Sequence, residues 1–202
     1  MNKLLPLLII LIACDQQTNS GKLPILGNTI YEENDTIYHT VVDFQLVDQD
    51  SNFVTNETFA DQIYVADFFF TSCPTICPTM KAQMSRVYKK FEDNEQVAIL
   101  SHTIDPTYDT VALLKDFAER LGVKSSKWKF VTGDQDYIYD LAEKSYMSIV
   151  DEDSNAPGGY IHSGAFLLVD KERRIRGVYD GTVPEQVDVL MNDINRLLKE
   201  YE

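Results

Sequence analysis

Gln62-Ile63-Tyr64-Val65-Ala66-Asp67-Phe68-Phe69-Phe70 runs directly into Thr71-Ser72-Cys73-Pro74-Thr75-Ile76-Cys77-Pro78, and the segment from Met80 to Phe91 follows at once. The first stretch is a nearly continuous apolar run rich in β-branched and aromatic residues, as expected of a strand buried on both faces of a sheet. From Met80 the apolar residues recur at helical spacing, with a polar, basic face between them. A central strand, a turn holding two cysteines and a helix therefore succeed one another without a linker.

Outward from this junction, strand-like and helix-like segments alternate with no internal repeat. Upstream, Val41 to Val47, a turn at Asp48-Gln49-Asp50-Ser51-Asn52 and then Phe53-Val54-Thr55 read as an N-terminal hairpin. Downstream, Val97 to Ser101 is a second buried strand ended by Asp105-Pro106. Asp109 and Thr110 open a helix over Val111 to Leu121, which Gly122 stops. Lys129 to Thr132 reads as a short strand and Gln135 to Met147 as a helix. Gly158-Gly159 introduces a second hairpin, Ile161 to Asp170 with Arg174 to Tyr179, and Pro184 starts an amphipathic helix reaching about Tyr201. The predicted class is α/β. A right-handed β-α-β half, a hairpin and a final helix make a thioredoxin-like plan, a central mixed sheet flanked by helices and preceded by the N-terminal hairpin.

The chain has 202 residues, 44% hydrophobic and 25% charged, which fits one domain with a proper core plus a tail. Its formal charge of -14 argues against nucleic acid as a partner, because phosphate binding needs clustered Lys and Arg. At the front, Lys3 precedes an apolar run from Leu4 to Ala13 that ends at Cys14 and gives way to Asp15-Gln16-Gln17-Thr18. That run is too short to span a bilayer, and Ala13 before Cys14 resembles the processing signal of bacterial lipoproteins, in which the cysteine is acylated and becomes the new N-terminus. The expected organisation is a signal over 1–13, a lipid anchor at Cys14 with a polar tether over 14–38, and the folded domain over 39–202. The domain would then sit outside the cytoplasm, on the periplasmic side or cell surface.

With Cys14 lipidated, Cys73 and Cys77 are the remaining thiols. The loop between them is too short to constrain much of the unfolded chain, so the pair reads as chemistry rather than as a structural staple. The Cys-x-x-x-Cys spacing places the sulfurs at i and i+4, on one helical face. The helix N-terminus should hold both thiols below the ordinary cysteine range. Two thiolates form a soft donor set suited to Cu(I) or zinc, and only three histidines, His39, His102 and His162, could add to it. A Cys₂His₂ zinc site is arithmetically possible but has no second local ligand pair. Three-coordinate Cu(I) with one histidine is more economical, and the residues alone leave open which histidine.

Phe70 to Pro78, Thr103-Ile104-Asp105-Pro106-Thr107-Tyr108-Asp109-Thr110 and Ile161-His162-Ser163-Gly164-Ala165-Phe166-Leu167-Leu168-Val169-Asp170, in that order, resemble the three signatures of the SCO/SenC copper chaperones. The similarity extends from about Phe44 to the C-terminus. It implies a copper ion held by Cys73, Cys77 and His162, with Cys73 and Cys77 also able to form a disulfide. The implied partners are the copper-bearing subunit of cytochrome c oxidase, a thiol reductant or copper donor protein, and the membrane that holds the anchor. Many members of that family carry an acidic residue between the cysteines where this chain has Thr75, a difference that bears on transfer more than on binding.

A rival built on the same pair is an extracytoplasmic thiol-disulfide oxidoreductase, in which one thiolate attacks a partner's disulfide and the other resolves the mixed disulfide. Thioredoxin-like oxidoreductases usually place a cis-proline before the late strand, where this chain has Ser163, and their pair is usually Cys-x-x-Cys. A peroxiredoxin would have a proline ahead of Thr71, which is absent. Met80 and Met84, one turn apart, read as core, and Asp105-Pro106 with Asp109 as a turn plus helix cap.

Overall fold

The computed structural model describes residues 21–33 and 35–202. The apolar run at its centre is strand β5 (Ile63–Phe69), buried at every position. It sits third in a seven-stranded mixed sheet ordered β11-β10-β5-β6-β7-β3-β4. Here β3 is Gln45–Asp48, β4 Phe53–Thr55, β6 Val97–Thr103, β7 Trp128–Thr132, β10 Ala165–Val169 and β11 Ile175–Asp180. Strands β5, β6 and β7 are parallel, while β10 runs antiparallel to β5 and β3 antiparallel to β7. The predicted N-terminal hairpin is β3-β4 and closes the sheet at its far edge; Val41 to Phe44 precede it outside the ladder.

Among the described residues four α-helices cover the sheet: α1 (Cys77–Phe91), α2 (Val111–Leu121), α3 (Gln135–Lys144) and α4 (Pro184–Lys199). The crossovers β5-α1-β6 and β6-α2-β7 step in the same direction across parallel strands, so right-handedness puts α1 and α2 on one face. Aromatic contacts mark that face: Phe69 stacks on Phe117 at 5.6 Å, and Tyr88 lies against Trp128 at 6.1 Å. The opposite face holds Phe68, stacked on His102 at 4.7 Å and edge-on to Tyr146 at 5.6 Å. Met80 and Met84 are buried on the inner stripe of α1, in keeping with a packing role. Pro184 opens α4, whose Val187, Leu190, Met191, Ile194 and Leu197 face inward.

Two differences from the sequence reading matter for the site. Gly158-Gly159 does not lead straight into one long hairpin. Tyr160–His162 (β9) instead pairs with Val150–Glu152 (β8) as a separate two-stranded ribbon, and the hairpin of the main sheet starts at Ala165. Within the segment read as a tether, Ile30–Glu32 (β1) and Asp35–Ile37 (β2) form a small ribbon. Farther upstream, Leu23 is buried and Leu26 bridges to Ile175. The guanidinium of Arg176, itself buried, donates to the carbonyls of Leu23 and Pro24 and pairs with Asp170 and Glu200. No helix among the described residues is long and apolar enough to cross a membrane, and Cys14 lies outside them.

Candidate metal centre

Cys73 and Cys77 leave the sheet where β5 ends. The helix does not include both, as their spacing had suggested: α1 begins at Cys77, with Pro78 in its first turn, and Cys73 lies in the preceding turn. Pro74 explains the difference, because a residue before proline is pushed out of the helical region. The turn is closed by the Cys73 N-H donating to the Phe70 carbonyl at 3.3 Å. Cys73 is 7% exposed and Cys77 fully buried, and both are free thiols.

The third side chain arrives from the opposite direction. His162 ends β9, opposite Val150 of β8, and the ribbon places its Nε2 3.3 Å from Cys77 Sγ and 4.0 Å from Cys73 Sγ. All three donor atoms lie within 4.8 Å of one another. His162 Nδ1 faces the Ser163 carbonyl at 3.2 Å. A carbonyl only accepts, so Nδ1 carries the proton and the Nε2 lone pair points at the sulfurs. Burial pushes the imidazole below its ordinary range, against the opposing pull of the Ser163 and Phe68 backbone, which keeps the ring neutral and able to ligate. Phe70 packs edge-on against the ring at 5.7 Å and against Tyr160 at 5.2 Å. Gly158 (φ +85°) lets the ribbon loop lie close over the turn; a Cβ there would meet Phe70 at 2.9 Å and Pro74 at 3.1 Å.

The two thiols are not alike, which corrects the expectation that both are depressed. Burial opposes ionisation of Cys73, but hydrogen bonds from the backbone of Cys77 and Thr75 and from the Thr75 hydroxyl outweigh it and bring this thiol below its ordinary range. Thr75 Oγ1 lies 3.6 Å from Cys73 Sγ, so the residue between the cysteines touches a donor atom. Burial drives Cys77 the other way, well above the cysteine range, and the nearby Cys73 and Asp67 add to the shift. A cation seated between the sulfurs would reverse that penalty, since a coordinated thiol is deprotonated.

The other candidates are occupied elsewhere. His39 Nε2 bonds the Ser145 carbonyl at 2.8 Å. His102 is fully buried, with Nδ1 on the Asp67 carbonyl at 3.2 Å. Among the described residues, Cys73, Cys77 and His162 are the only group of three or more His, Cys, Asp or Glu side chains that converge on one point, so no second histidine completes a four-ligand zinc set there. Two thiolates and one imidazole form a soft, three-coordinate pocket of the kind that suits Cu(I). Asp109, which the sequence predicts as part of a helix cap, does not cap α2. Thr110 alone accepts from the Leu113 N-H at the start of α2, while the buried Asp109 carboxylate points inward to Thr71 and Thr103. A carboxylate just before a helix looks like a cap in one dimension, and only the packing of β6 against β5 turns it the other way.

A family model described as SCO1/SenC matches residues 32–199. The "SCO1 protein homolog" of Bacillus subtilis is 33% identical over 162 residues, covering 79% of this chain and 83% of the relative. A SCO1/SenC family lipoprotein from Bacillus anthracis superimposes with a TM-score of 0.73 at 29% identity, covering 79% of this chain and 95% of its own. BsSco, described as a member of the Sco family of cytochrome c oxidase assembly proteins with a disulfide switch, gives 0.69 at 32% identity, with 79% and 93% covered. Copper-bound ScoI of Arabidopsis thaliana shares the fold, with a TM-score of 0.65 at 22% identity over 78% of this chain and 99% of its own. The fold is thus thioredoxin-like, and the chain belongs to the SCO1/SenC family.

Proposed function

We propose that this protein carries copper as cargo between the Cys73 and Cys77 thiolates and His162 Nε2, and delivers it to the copper-bearing subunit of cytochrome c oxidase during assembly. The observation that carries the reading is the convergence of two sulfurs and one imidazole lone pair within 4.8 Å, on elements far apart in sequence. Family membership supports copper as the ion, and the description of BsSco supports oxidase assembly as the setting. A site with only three protein donors leaves a coordination position for an incoming ligand, so transfer can proceed by exchange without releasing a free ion. A thiol reductant or copper donor protein would return the pair to its loaded, reduced state.

The domain is held at an extracytoplasmic membrane surface through an acylated Cys14, with 1–13 removed as a signal and the domain proper over 39–202. The Ala13-Cys14 junction and the lipoprotein among its relatives support this placement. Mass spectrometry of the mature N-terminus should find a lipid-modified Cys14; a chain starting at Met1 or cut beyond Cys14 removes the anchor.

The test of the cargo reading is a competition titration of reduced protein with a Cu(I) chelator. One Cu(I) per chain is expected, and oxidation of Cys73 and Cys77 to a disulfide should abolish binding, because disulfide sulfur is no thiolate donor. Stoichiometric Cu(I) retention by the oxidised protein would overturn it.

A further inference from the structure

The segment Thr103 to Thr110 contributes no side chain to the Cys73-Cys77-His162 cluster, yet it meets the cysteine turn through one side chain. Asp109 is fully buried. Its Oδ2 accepts from the Thr71 N-H at 3.0 Å and from the Thr103 hydroxyl at 2.5 Å, and its Oδ1 accepts from the Thr71 hydroxyl. Thr103 Oγ1 in turn accepts from the Asp105 N-H at 3.1 Å, and the Asp109 N-H donates to the Asp105 carbonyl at 2.8 Å. Three donors converge on the two oxygens of this carboxylate; burial pushes its pKa up, and the bonds from Thr103 and Thr71 pull it back down. The result is a clamp between the β6-α2 loop and Thr71, the residue that opens the cysteine turn.

We infer that Asp109 is a positioning residue for the thiol pair: through Thr71 it fixes where the turn leaves β5 and so sets the distance and orientation of Cys73 relative to Cys77 and His162. Phe70 strengthens the link, since it adjoins Thr71 and packs on both the His162 ring and Tyr160. A shift of Thr71 thus moves both sides of the pocket. Burying a carboxylate carries a desolvation cost that hydrogen bonds must offset. A turn plus a helix N-terminus does not require it, because Thr110 already caps α2. Precise placement of the sulfurs does, because ligand and disulfide geometry are both sensitive to small displacements.

The inference rests on the proposed function only for its copper readout, so the test includes one that needs no metal. The full chain, purified in detergent, is equilibrated with glutathione: Cys73 and Cys77 lose two electrons and two protons to form one disulfide while one glutathione disulfide is reduced to two glutathiones. Thr71→Val keeps the backbone N-H bond and the charge of Asp109 but removes the hydroxyl bond. Asp109→Asn removes the ionised acceptor. Both should keep the far-ultraviolet spectrum and cooperative melting of the wild type. Both should lower the equilibrium constant for disulfide formation by about tenfold, about 30 mV, because a loosened turn lowers the effective concentration of one thiol at the other. Cu(I) affinity should fall by about 10- to 100-fold, the usual range for groups that orient ligands. Thr71→Ser, which restores the hydroxyl, should restore both values. If Asp109→Asn fails to fold, Thr71→Val against Thr71→Ser decides the matter alone. A folded Thr71→Val with wild-type redox equilibrium overturns the inference. An altered redox equilibrium in the variants, found together with a wild type that binds no Cu(I), sustains it while removing the copper reading.

Discussion

The strand-helix junction and the β8-β9 ribbon supply the same pocket but are built to different standards. At the junction, every residue of β5 is buried, Cys77 is part of the core, and Met80 and Met84 continue the apolar stripe beneath it. The ribbon consists of two three-residue strands outside the main sheet, with Ile149 71% and Ile161 43% exposed. A two-stranded ribbon is marginal by itself, and here it relies on Phe70 against Tyr160, a Ser148-Ser163 hydroxyl contact at 2.7 Å, and Gln135 donating to Glu152. Segments of this kind open at lower free-energy cost than core strands. The thiol pair is therefore set by the fold, and the imidazole is added by an element that moves more readily, so exchange of cargo should begin on the histidine side.

The largest expected effect comes from breaking the rigid half. Cys73→Ser or Cys77→Ala leaves one thiolate and one imidazole, and each should abolish retention of Cu(I) against a chelator that the wild type outcompetes. Cys77→Ala should also lower stability by about 1 kcal/mol through the small cavity left in the core, whereas Cys73→Ser, which keeps the shape of a buried side chain beside the Thr75 hydroxyl, should lower it less. Retention of copper by either variant would show that the sulfurs are not the donors.

Removing the imidazole should cost less. His162→Ala is expected to weaken Cu(I) binding by about 100-fold, at least as much as losing a group that merely orients a ligand, while the Cys73-Cys77 pair still oxidises and is reduced. His39→Ala is the matched control. If the variant binds like the wild type, the third ligand is elsewhere and the ribbon has another purpose.

Beneath the junction, two buried groups on opposite faces of β5 and β6 make its stability depend on pH in opposite senses. Burial raises Asp67 to about 7, offset in part by the Ser101 hydroxyl, which donates to it at 2.5 Å. An unfolded aspartate ionises near 3.8, so between there and pH 7 only the unfolded chain releases this proton. The contribution of Asp67 is fully present below that window and falls away as pH rises, by roughly 4 kcal/mol in all. Burial lowers His102 to about 4, so its neutral ring costs stability as pH falls from 6.5, and the two slopes largely cancel in the shared window. Asp67→Asn keeps the shape and removes one slope. Relative to the wild type, it should gain stability progressively from pH 4 to 8 in urea unfolding, and a difference that stays flat with pH would refute the burial argument.

The junction was also the legible half of the molecule. Its strand is a long apolar run, its helix has a clear periodicity, and the cysteines lie within one short motif, so local sequence carries nearly all the information. The ribbon was not legible. Val150-Asp151-Glu152 and Tyr160-Ile161-His162 are too short and too polar to show a period, and their pairing depends on the loop between them. His162 could be singled out only by resemblance, because nothing local says that a ribbon will fold it onto the sulfurs. Leu23 and Leu26 were hidden for a related reason: two apolar residues in a polar stretch look like linker until Arg176 and Ile175 supply their partners.

The smallest effect is the one that most sharpens the contrast between the halves. Gly158 and Gly159 have nearly the same backbone, φ +85° and +86°, so alanine at either position carries a similar conformational penalty of about 1 kcal/mol. They differ in what a Cβ would meet: nothing within 4 Å at Gly159, but Phe70 at 2.9 Å and the Pro74 ring at 3.1 Å at Gly158. Gly158→Ala must therefore lift the loop away from the cysteine turn, while Gly159→Ala strains the loop in place. If closure of the ribbon over the turn helps seat His162, Gly158→Ala should release Cu(I) to a chelator several-fold faster than Gly159→Ala, at similar melting temperatures for the two variants. The measurement is a stopped-flow chelator chase on copper-loaded protein, with His162→Ala as the fast limit. Equal rates for the two alanines would mean that the ribbon holds its histidine without the close approach at Gly158, and the ribbon would then have to be counted with the rigid half.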